Sequence, residues 1–420
     1  MIRERDILKT LERVRDASRE LRVTSATTRN RVLRDLAMQL KANRGRLFNA
    51  NRQDLFALRT TATSAFRDRL ALTENRLRQM IDSLKQVAAF ADPTNEAVET
   101  KTLANGLRAK RVRSPLGVIL MIFESRPDVA VEAFSLAFKS GNAIILRGGK
   151  ESMRTTAAIY QLLKSVLIKH KLPTSAFWGI TDADRRITTF LLKQSSMIDI
   201  VVPRGGDRLI DFVVTNTRIP IIKNDRGLCH VYVHADASLD MARRIVVNAK
   251  TQRPGVCNAM ETLLVHRSVA KSLLPKLHAA MAPKSVEWLA DRESHGILRG
   301  LSHVRAAMDR DFDTEHLDLK MNCRIVGSLD EAIAHIERHG SHHSESIVTK
   351  SRRTARKFQS AIDAAVVYWN ASTRFTDGFA LGLGGELGIS TQKLHVRGPV
   401  GLSELTSVRW IIDGSGQVRE

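Results

Sequence analysis

The stretch Gln252-Arg253-Pro254-Gly255-Val256-Cys257-Asn258-Ala259 sets a cysteine in a polar, turn-forming context. A thiolate there could attack an activated carbonyl, with Arg253 favouring the ionised sulfur and backbone N–H groups holding an oxyanion. A cysteine is equally suited to filling a core, and these residues alone leave both readings open. Cys323 lies nearly inside an apolar run, the usual setting of a core cysteine, and the only other cysteine is Cys229. Three scattered cysteines form neither a disulfide framework nor a paired metal spacing. Two glycine turns offer a second chemistry. Leu146-Arg147-Gly148-Gly149-Lys150-Glu151-Ser152 and Val202-Pro203-Arg204-Gly205-Gly206-Asp207-Arg208 each follow an apolar run. Glycines at the end of a parallel strand let the backbone approach a phosphate, and a following helix adds N–H groups at its positive end. Neither turn matches the standard dinucleotide fingerprint, so plain strand-to-helix turns remain the alternative. His335 and His339 stand four apart with His342 and His343 nearby, but no cysteine or carboxylate pattern completes a tetrahedral set. No metal is expected.

The elements that must carry these residues follow from periodicity. Apolar residues at helical spacing predict helices over 4–21, 29–42 and about 74–91, the last ended by Pro93. Apolar runs Val118–Phe123, Ala143–Leu146, Ala176–Ile180, Ile198–Val202 and Ile219–Ile222 then alternate with helical segments near 129–140, 152–170, 184–194 and 206–215. Such alternation is the signature of a parallel sheet covered on both faces, so residues 103–223 read as a dinucleotide-binding type of fold. Asp236 or Ser238 can cap a helix through Met241, Ile245, Val246 and Ala249, and Pro254-Gly255 breaks the chain before Cys257. A second αβ region follows, with strands Thr262–His266, Cys323–Val326 and Glu345–Thr349 and helices from Ser268 and Leu329, giving a smaller sheet. Gly382-Leu383-Gly384-Gly385-Glu386 reads as a tight loop. Val408–Ile412 and Gln417–Arg419 around Asp413-Gly414-Ser415-Gly416 read as a hairpin.

The chain has 420 residues and a formal net charge of +22. Residues 1–113 hold 25 Lys and Arg against 13 Asp and Glu, which raises the question of nucleic-acid contact. These charges alternate with apolar residues at helical spacing, so they read as solvated helix faces and nucleic acid is not the expected partner. No stretch approaches the roughly 18 uncharged apolar residues of a membrane-spanning helix, and the first residues lack the apolar region of a signal peptide. A cytoplasmic protein without membrane contact is expected.

Longer segments carry a resemblance. Pro115-Leu116-Gly117-Val118 with Phe123-Glu124-Ser125-Arg126-Pro127, Lys139-Ser140-Gly141-Asn142-Ala143 through Glu151, and Cys229-His230-Val231-Tyr232-Val233 are three of them. Val247–Pro254 with Cys257-Asn258-Ala259, Asn370–Gly378, and Gly388-Ile389-Ser390-Thr391-Gln392-Lys393 are the others. In this order they resemble the gamma-glutamyl phosphate reductases, a branch of the aldehyde dehydrogenase superfamily. The resemblance implies an α/β, aldehyde dehydrogenase-like fold: a Rossmann-type NADP-binding domain over 1–228, a catalytic domain over 229–368, a return to the cofactor domain over 369–400, and an oligomerisation hairpin over 401–420 joined by 102–113. It implies reduction of gamma-glutamyl phosphate to glutamate 5-semialdehyde and phosphate with NADPH, through a thioester on Cys257, as the second step of proline biosynthesis. A homo-oligomer and substrate delivery by glutamate 5-kinase are further implications.

Site roles carry over residue by residue. Cys257 and Asn258 are the catalytic pair, and Arg126 lies in the loop that supplies a side-chain donor to the oxyanion in the superfamily. Thr373 and Arg374 fall in a loop peculiar to this branch and would meet substrate. Gly148, Gly149, Gly205 and Gly206 would line the cofactor, and Glu315 stands where the superfamily has a carboxylate for the nicotinamide ribose. NAD-preferring relatives place a carboxylate where this chain has Lys150, three residues after Arg147, which implies NADP. Where hydrolytic aldehyde dehydrogenases carry a water-activating glutamate this chain has Asn224, with Asp225 beside it. It departs from the branch's usual wording at Asp128, at Gly255 and at Phe379-Ala380-Leu381.

Overall fold

The computed structural model describes residues 4–58, 64–124, 126–223 and 226–419. Ser125, Asn224 and Asp225, named above, lie outside the described residues. Contacts divide the chain into two units: residues 1–223, 382–388 and 400–420 form one, and 224–381 with 389–399 form the other. Of the residues 369–400 expected to return to the first unit, Gly382–Gly388 and Val400 belong to it.

In the first unit four parallel strands run in the order Phe177–Ile180, Ala143–Arg147, Val118–Phe123, Ile200–Arg204. Val118–Phe123 is buried along its whole length, which is why it reads as an unbroken apolar run. Ile219–Ile222, expected as a fifth strand, contributes only an isolated bridge from Ile221 to Val201. The helices Asp128–Lys139, Met153–Lys169, Arg185–Leu191 and Asp207–Asn216 fall where periodicity places them. Helix Ala26–Ala42 begins three residues before its expected start, because the Ser25 side chain caps it by accepting from the Thr28 N–H.

Helix Arg44–Phe56 escapes the periodicity because its buried face is partly polar. Asn51 donates to the Leu70 carbonyl and accepts from the Leu72 N–H. Asp54 accepts from the N–H groups of Arg154 and Thr155 and from the Thr155 hydroxyl. That carboxylate therefore caps helix Met153–Lys169 from a neighbouring helix.

The expected C-terminal hairpin does not form. Gln417–Arg419 is not a strand. Thr406–Asp413 pairs instead with Arg108–Pro115 over eight residues, and Arg108–Pro115 pairs with Ala97–Thr102, giving a three-stranded antiparallel ribbon. The hairpin within that ribbon turns through Gly106 at φ +84°, a conformation glycine adopts without steric cost.

The sheet of the second unit is larger than expected, with seven strands against three. All are parallel, in the order Val304–Ala306, Glu287–Ala290, Lys320–Val326, Met260–His266, Cys229–Val233, Ser344–Val348, Val366–Trp369. The strands missed from the sequence are three to five residues long, too short for an apolar run to stand out. Alternate residues of the central strands pack on opposite faces. Val231, Leu263 and Cys323 join one core, and Tyr232, Leu264 and Ile347 join the other. Cys323 is a core residue, fully buried, with its thiol pushed up by that burial.

Candidate active site

The Cys257 loop descends from helix Leu239–Thr251 and enters strand Met260–His266, at the N-terminal end of the two central strands. Ser238 occupies the position before that helix without a side-chain cap, and Asp236 instead binds the Thr349 hydroxyl and the Ser351 N–H. Cys229 and Cys323 are fully buried, whereas Cys257 is partly exposed. A nucleophile must be reached by its substrate, and only this thiol meets the requirement.

The loop is held from several sides. A Cβ on Gly227 would lie 1.7 Å from the Cys257 carbonyl oxygen, so only glycine allows the two backbones to stack. The Gly227 N–H donates to Glu315 Oε1 at 2.8 Å, which brings the expected ribose carboxylate to the back of the cysteine. The Cys229 thiol lies 3.2 Å from the Cys257 carbonyl oxygen and 3.6 Å from His343 Nδ1. Burial drives the Cys229 thiol pKa well up, with the Glu345 charge adding to it, so Cys229 stays protonated and donates. Burial also lowers the His343 imidazole to about 4, which leaves it neutral near pH 7.

Asn258 Nδ2 donates to the Thr376 carbonyl at 2.6 Å, and the Thr373 hydroxyl donates to the Asn258 carbonyl at 2.8 Å. Both side chains are buried, so Asn258 and Thr373 hold the 370–378 segment against the cysteine loop. The Thr376 hydroxyl extends this network to Ser344 at 2.6 Å and Tyr368 at 2.9 Å. Arg374 Nε donates to Gln252 Oε1 at 2.9 Å. Burial lowers the Arg374 pKa and the Arg253 charge adds to this, while Asp377 and the Cys257 side chain pull the other way. Two guanidinium groups thus flank the cysteine loop. The one at Arg374 is suited to an anionic substrate group.

Cys257, Asn258, Glu315, Thr373 and Arg374 therefore converge, and the surrounding Gly227, Cys229, His343 and Thr376 went unassigned in the sequence. Cys229 sat inside a motif and Gly227 lies two residues before it, but a stacking backbone and a donating thiol leave no pattern. A Cβ at Gly255 would meet only the Leu317 carbonyl oxygen, at 3.5 Å, so this departure removes a side chain from open space. His335 and His339 do not converge on the loop residues named here. Their rings lie 4.5 Å apart beside Phe312, His339 binds Asp313, and burial drives His335 down to about 2. Among the described residues no group of three or more potential ligands is arranged for a metal ion.

In the first unit, adjacent strands Val118–Phe123 and Ile200–Arg204 are not consecutive, so the strand order reverses between them. Ligands of open parallel sheets bind at such a switch point, beyond the strand carboxyl ends. Gly205-Gly206 lies there. A Cβ on Gly205 would come within 2.6 Å of the Glu124 side chain, and the Gly206 N–H donates to Glu124 Oε2. Gly206 precedes helix Asp207–Asn216 with no side-chain cap. At the other glycine turn Asp54 already takes N–H groups at the start of helix Met153–Lys169, so an anion there would face a carboxylate. Each glycine turn thus has a carboxylate on a nearby N–H group, Glu124 at Gly206 and Asp54 at the start of helix Met153–Lys169. Gly148 is buried, with its missing Cβ 3.1 Å from the Phe123 ring, so it serves packing. Arg147 is buried and directs its guanidinium to the carbonyls of Gly148 and Ala183. Lys150 is exposed at the start of the following turn. Arg126, expected as an oxyanion donor, pairs with Asp128 at 3.0 Å, and this pair together with Glu132 outweighs burial and raises its pKa. That pairing gives Asp128 a role.

The aldehyde dehydrogenase family model matches residues 1–295. The gamma-glutamyl phosphate reductase of Opitutus terrae is 48% identical and that of Nautilia profundicola 43%, with at least 97% of both chains covered in each comparison. The crystal structure of gamma-glutamyl phosphate reductase from Thermotoga maritima is 40% identical and superposes with a TM-score of 0.94, covering 98% of this chain and 99% of that one. The chain belongs to the gamma-glutamyl phosphate reductase branch of the aldehyde dehydrogenase family. An acetylating aldehyde dehydrogenase from Geobacillus thermoglucosidasius, 15% identical with a TM-score of 0.72 and coverage of 99% and 98%, shows the same fold. As a member of this reductase branch the chain is an oxidoreductase and uses a nicotinamide cofactor.

Proposed function

We propose that this chain reduces gamma-glutamyl phosphate to glutamate 5-semialdehyde and phosphate with NADPH, as the second step of proline biosynthesis, through a thioester on Cys257. The observation that carries the reading is a single accessible cysteine held on a backbone-stacked loop with Arg374 beside it. The Cys257 thiolate attacks the acyl carbon, the bond from carbon to the phosphate oxygen breaks, and phosphate leaves. Bound nicotinamide supplies hydride. The carbon–sulfur bond then breaks, returning the thiolate and releasing the aldehyde, and one proton from solvent ends on phosphate. Backbone N–H groups of the loop stabilise the oxyanion, and Arg374 binds an anionic group of the substrate. Gly205, Gly206 and Lys150 would hold the dinucleotide, and Glu315 its nicotinamide ribose. Asn224 in place of a glutamate base keeps water from draining the thioester.

The test is NADP reduction by glutamate 5-semialdehyde, which should require inorganic phosphate. Turnover to glutamate without phosphate would instead make the chain a hydrolytic aldehyde dehydrogenase. In the same assay, Arg374→Gln should raise the KM for semialdehyde or phosphate by about ten- to a hundredfold, the worth of one charge-assisted contact, and leave that for NADP unchanged. Equal rises for all three would make Arg374 a scaffold residue.

Among the described residues no helix is long and apolar enough to cross a membrane. We place the enzyme in the cytoplasm, receiving its labile substrate from glutamate 5-kinase. The ribbon exposes Val98, Trp410, Ile411 and Ile412, and an uncovered apolar ribbon is an aggregation hazard. A second copy covering it makes the chain a homo-oligomer, at least a dimer. Removing Val408–Glu420 should give monomers in sedimentation velocity, and a full-length chain that is monomeric at micromolar concentration would contradict this.

A further inference from the structure

The Cys257 loop hangs from two elements, helix Leu239–Thr251 and strand Met260–His266, and one buried ion pair spans the gap between them. Lys250 Nζ lies 3.1 Å from Glu261 Oε2, and the two side chains are 0% and 1% exposed. The second carboxylate oxygen, Oε1, accepts from the Leu317 N–H at 3.2 Å. Leu317 holds φ at +52°, a backbone conformation that costs a non-glycine residue energy and needs a fixing contact. Two residues before it, Glu315 binds the Gly227 N–H, and Gly227 stacks on the Cys257 backbone. The contacts therefore close a ring from the helix end through Glu261, Leu317, Glu315 and Gly227 back to Cys257.

Stability alone gives this pair little reason to exist. Removing two charges from water offsets most of their attraction, and well-packed apolar residues often serve a fold as well or better. Burial raises the Glu261 pKa to about 7 and lowers that of Lys250, while each partner's charge pulls the other way. A charged pair in this place sets a distance and a direction that two apolar side chains would not. We propose that Lys250 and Glu261 form a positioning clamp that fixes both ends of the Cys257 loop together with the Glu315 segment, and so sets the reach of the Cys257 sulfur. The proposal rests on the reading of Cys257 as nucleophile.

Two variants test it. Glu261→Asp keeps both charges and shortens one arm by a methylene. Lys250→Met combined with Glu261→Gln removes the charges at nearly constant volume and keeps an acceptor for the Leu317 N–H. Both should fold as the wild type does, yet lose turnover at saturating NADP by at least about tenfold, since a misplacement of roughly 1 Å can cost a hundredfold. The rate of Cys257 alkylation by iodoacetamide, read by peptide mass, should shift in the same variants. That readout assumes no substrate, so it separates the two failures. Turnover surviving Cys257→Ala would sink the functional reading. Wild-type turnover and alkylation in a folded variant would overturn the clamp, and if the double variant does not fold, Glu261→Asp decides.

Discussion

Cys257→Ala is expected to lower turnover by at least about a thousandfold, the usual consequence of removing a covalent nucleophile, while thermal stability and NADP affinity stay near wild type. Structural damage should be small because the thiol is partly exposed. The backbone contacts that fix the loop, from Gly227 and from the Cys229 thiol to the Cys257 carbonyl, do not involve the deleted sulfur. Cys229→Ala is the informative control. It removes a buried donor to that carbonyl, so it should cost stability and some rate but leave the labelled thiol at Cys257. Substantial activity in Cys257→Ala, or alkylation confined to Cys229, would overturn the mechanism.

Lys150→Glu should reverse the cofactor preference. The wild type is expected to favour NADP by about ten- to a hundredfold, the worth of one charge-assisted contact of about 1.5–3 kcal/mol to the ribose 2′-phosphate. Arg147 is turned toward the carbonyls of Gly148 and Ala183, so the contact is expected from Lys150. A carboxylate at the same place would repel the 2′-phosphate and could bond both ribose hydroxyls. Because Lys150 is exposed, the substitution should not disturb the fold. Equal catalytic efficiencies with NAD and NADP in the wild type, or a ratio unmoved by the substitution, would remove Lys150 from the cofactor site.

What could be read from the sequence follows the physics of each signal. Val118–Phe123 and Ala143–Arg147 were legible because strands buried on both faces must be continuously apolar. Helix Arg44–Phe56 was not, since Asn51 and Asp54 face inward and make the buried side look like a surface. The ribbon misled in a different way. A Gly-rich turn after Val408–Ile412 satisfies the local rule for a hairpin, yet strand pairing is non-local and Arg108–Pro115 was the better partner. At the site, Cys257 stood out in the sequence because loop context and motif agree. Gly227, the Cys229 thiol and the Lys250–Glu261 pair act through distances between segments remote in sequence, which no local pattern encodes.

The central claim is a glutamyl thioester on Cys257 that forms and is consumed within turnover. Protein mixed with glutamate 5-semialdehyde and NADP in the absence of phosphate, quenched in acid and measured by intact and peptide mass, tests it directly. The account predicts one glutamyl adduct per chain, on the peptide carrying Cys257, which disappears when phosphate is added and never appears in Cys257→Ala. NADPH formation without any adduct, or an adduct on another residue that phosphate discharges, would contradict it.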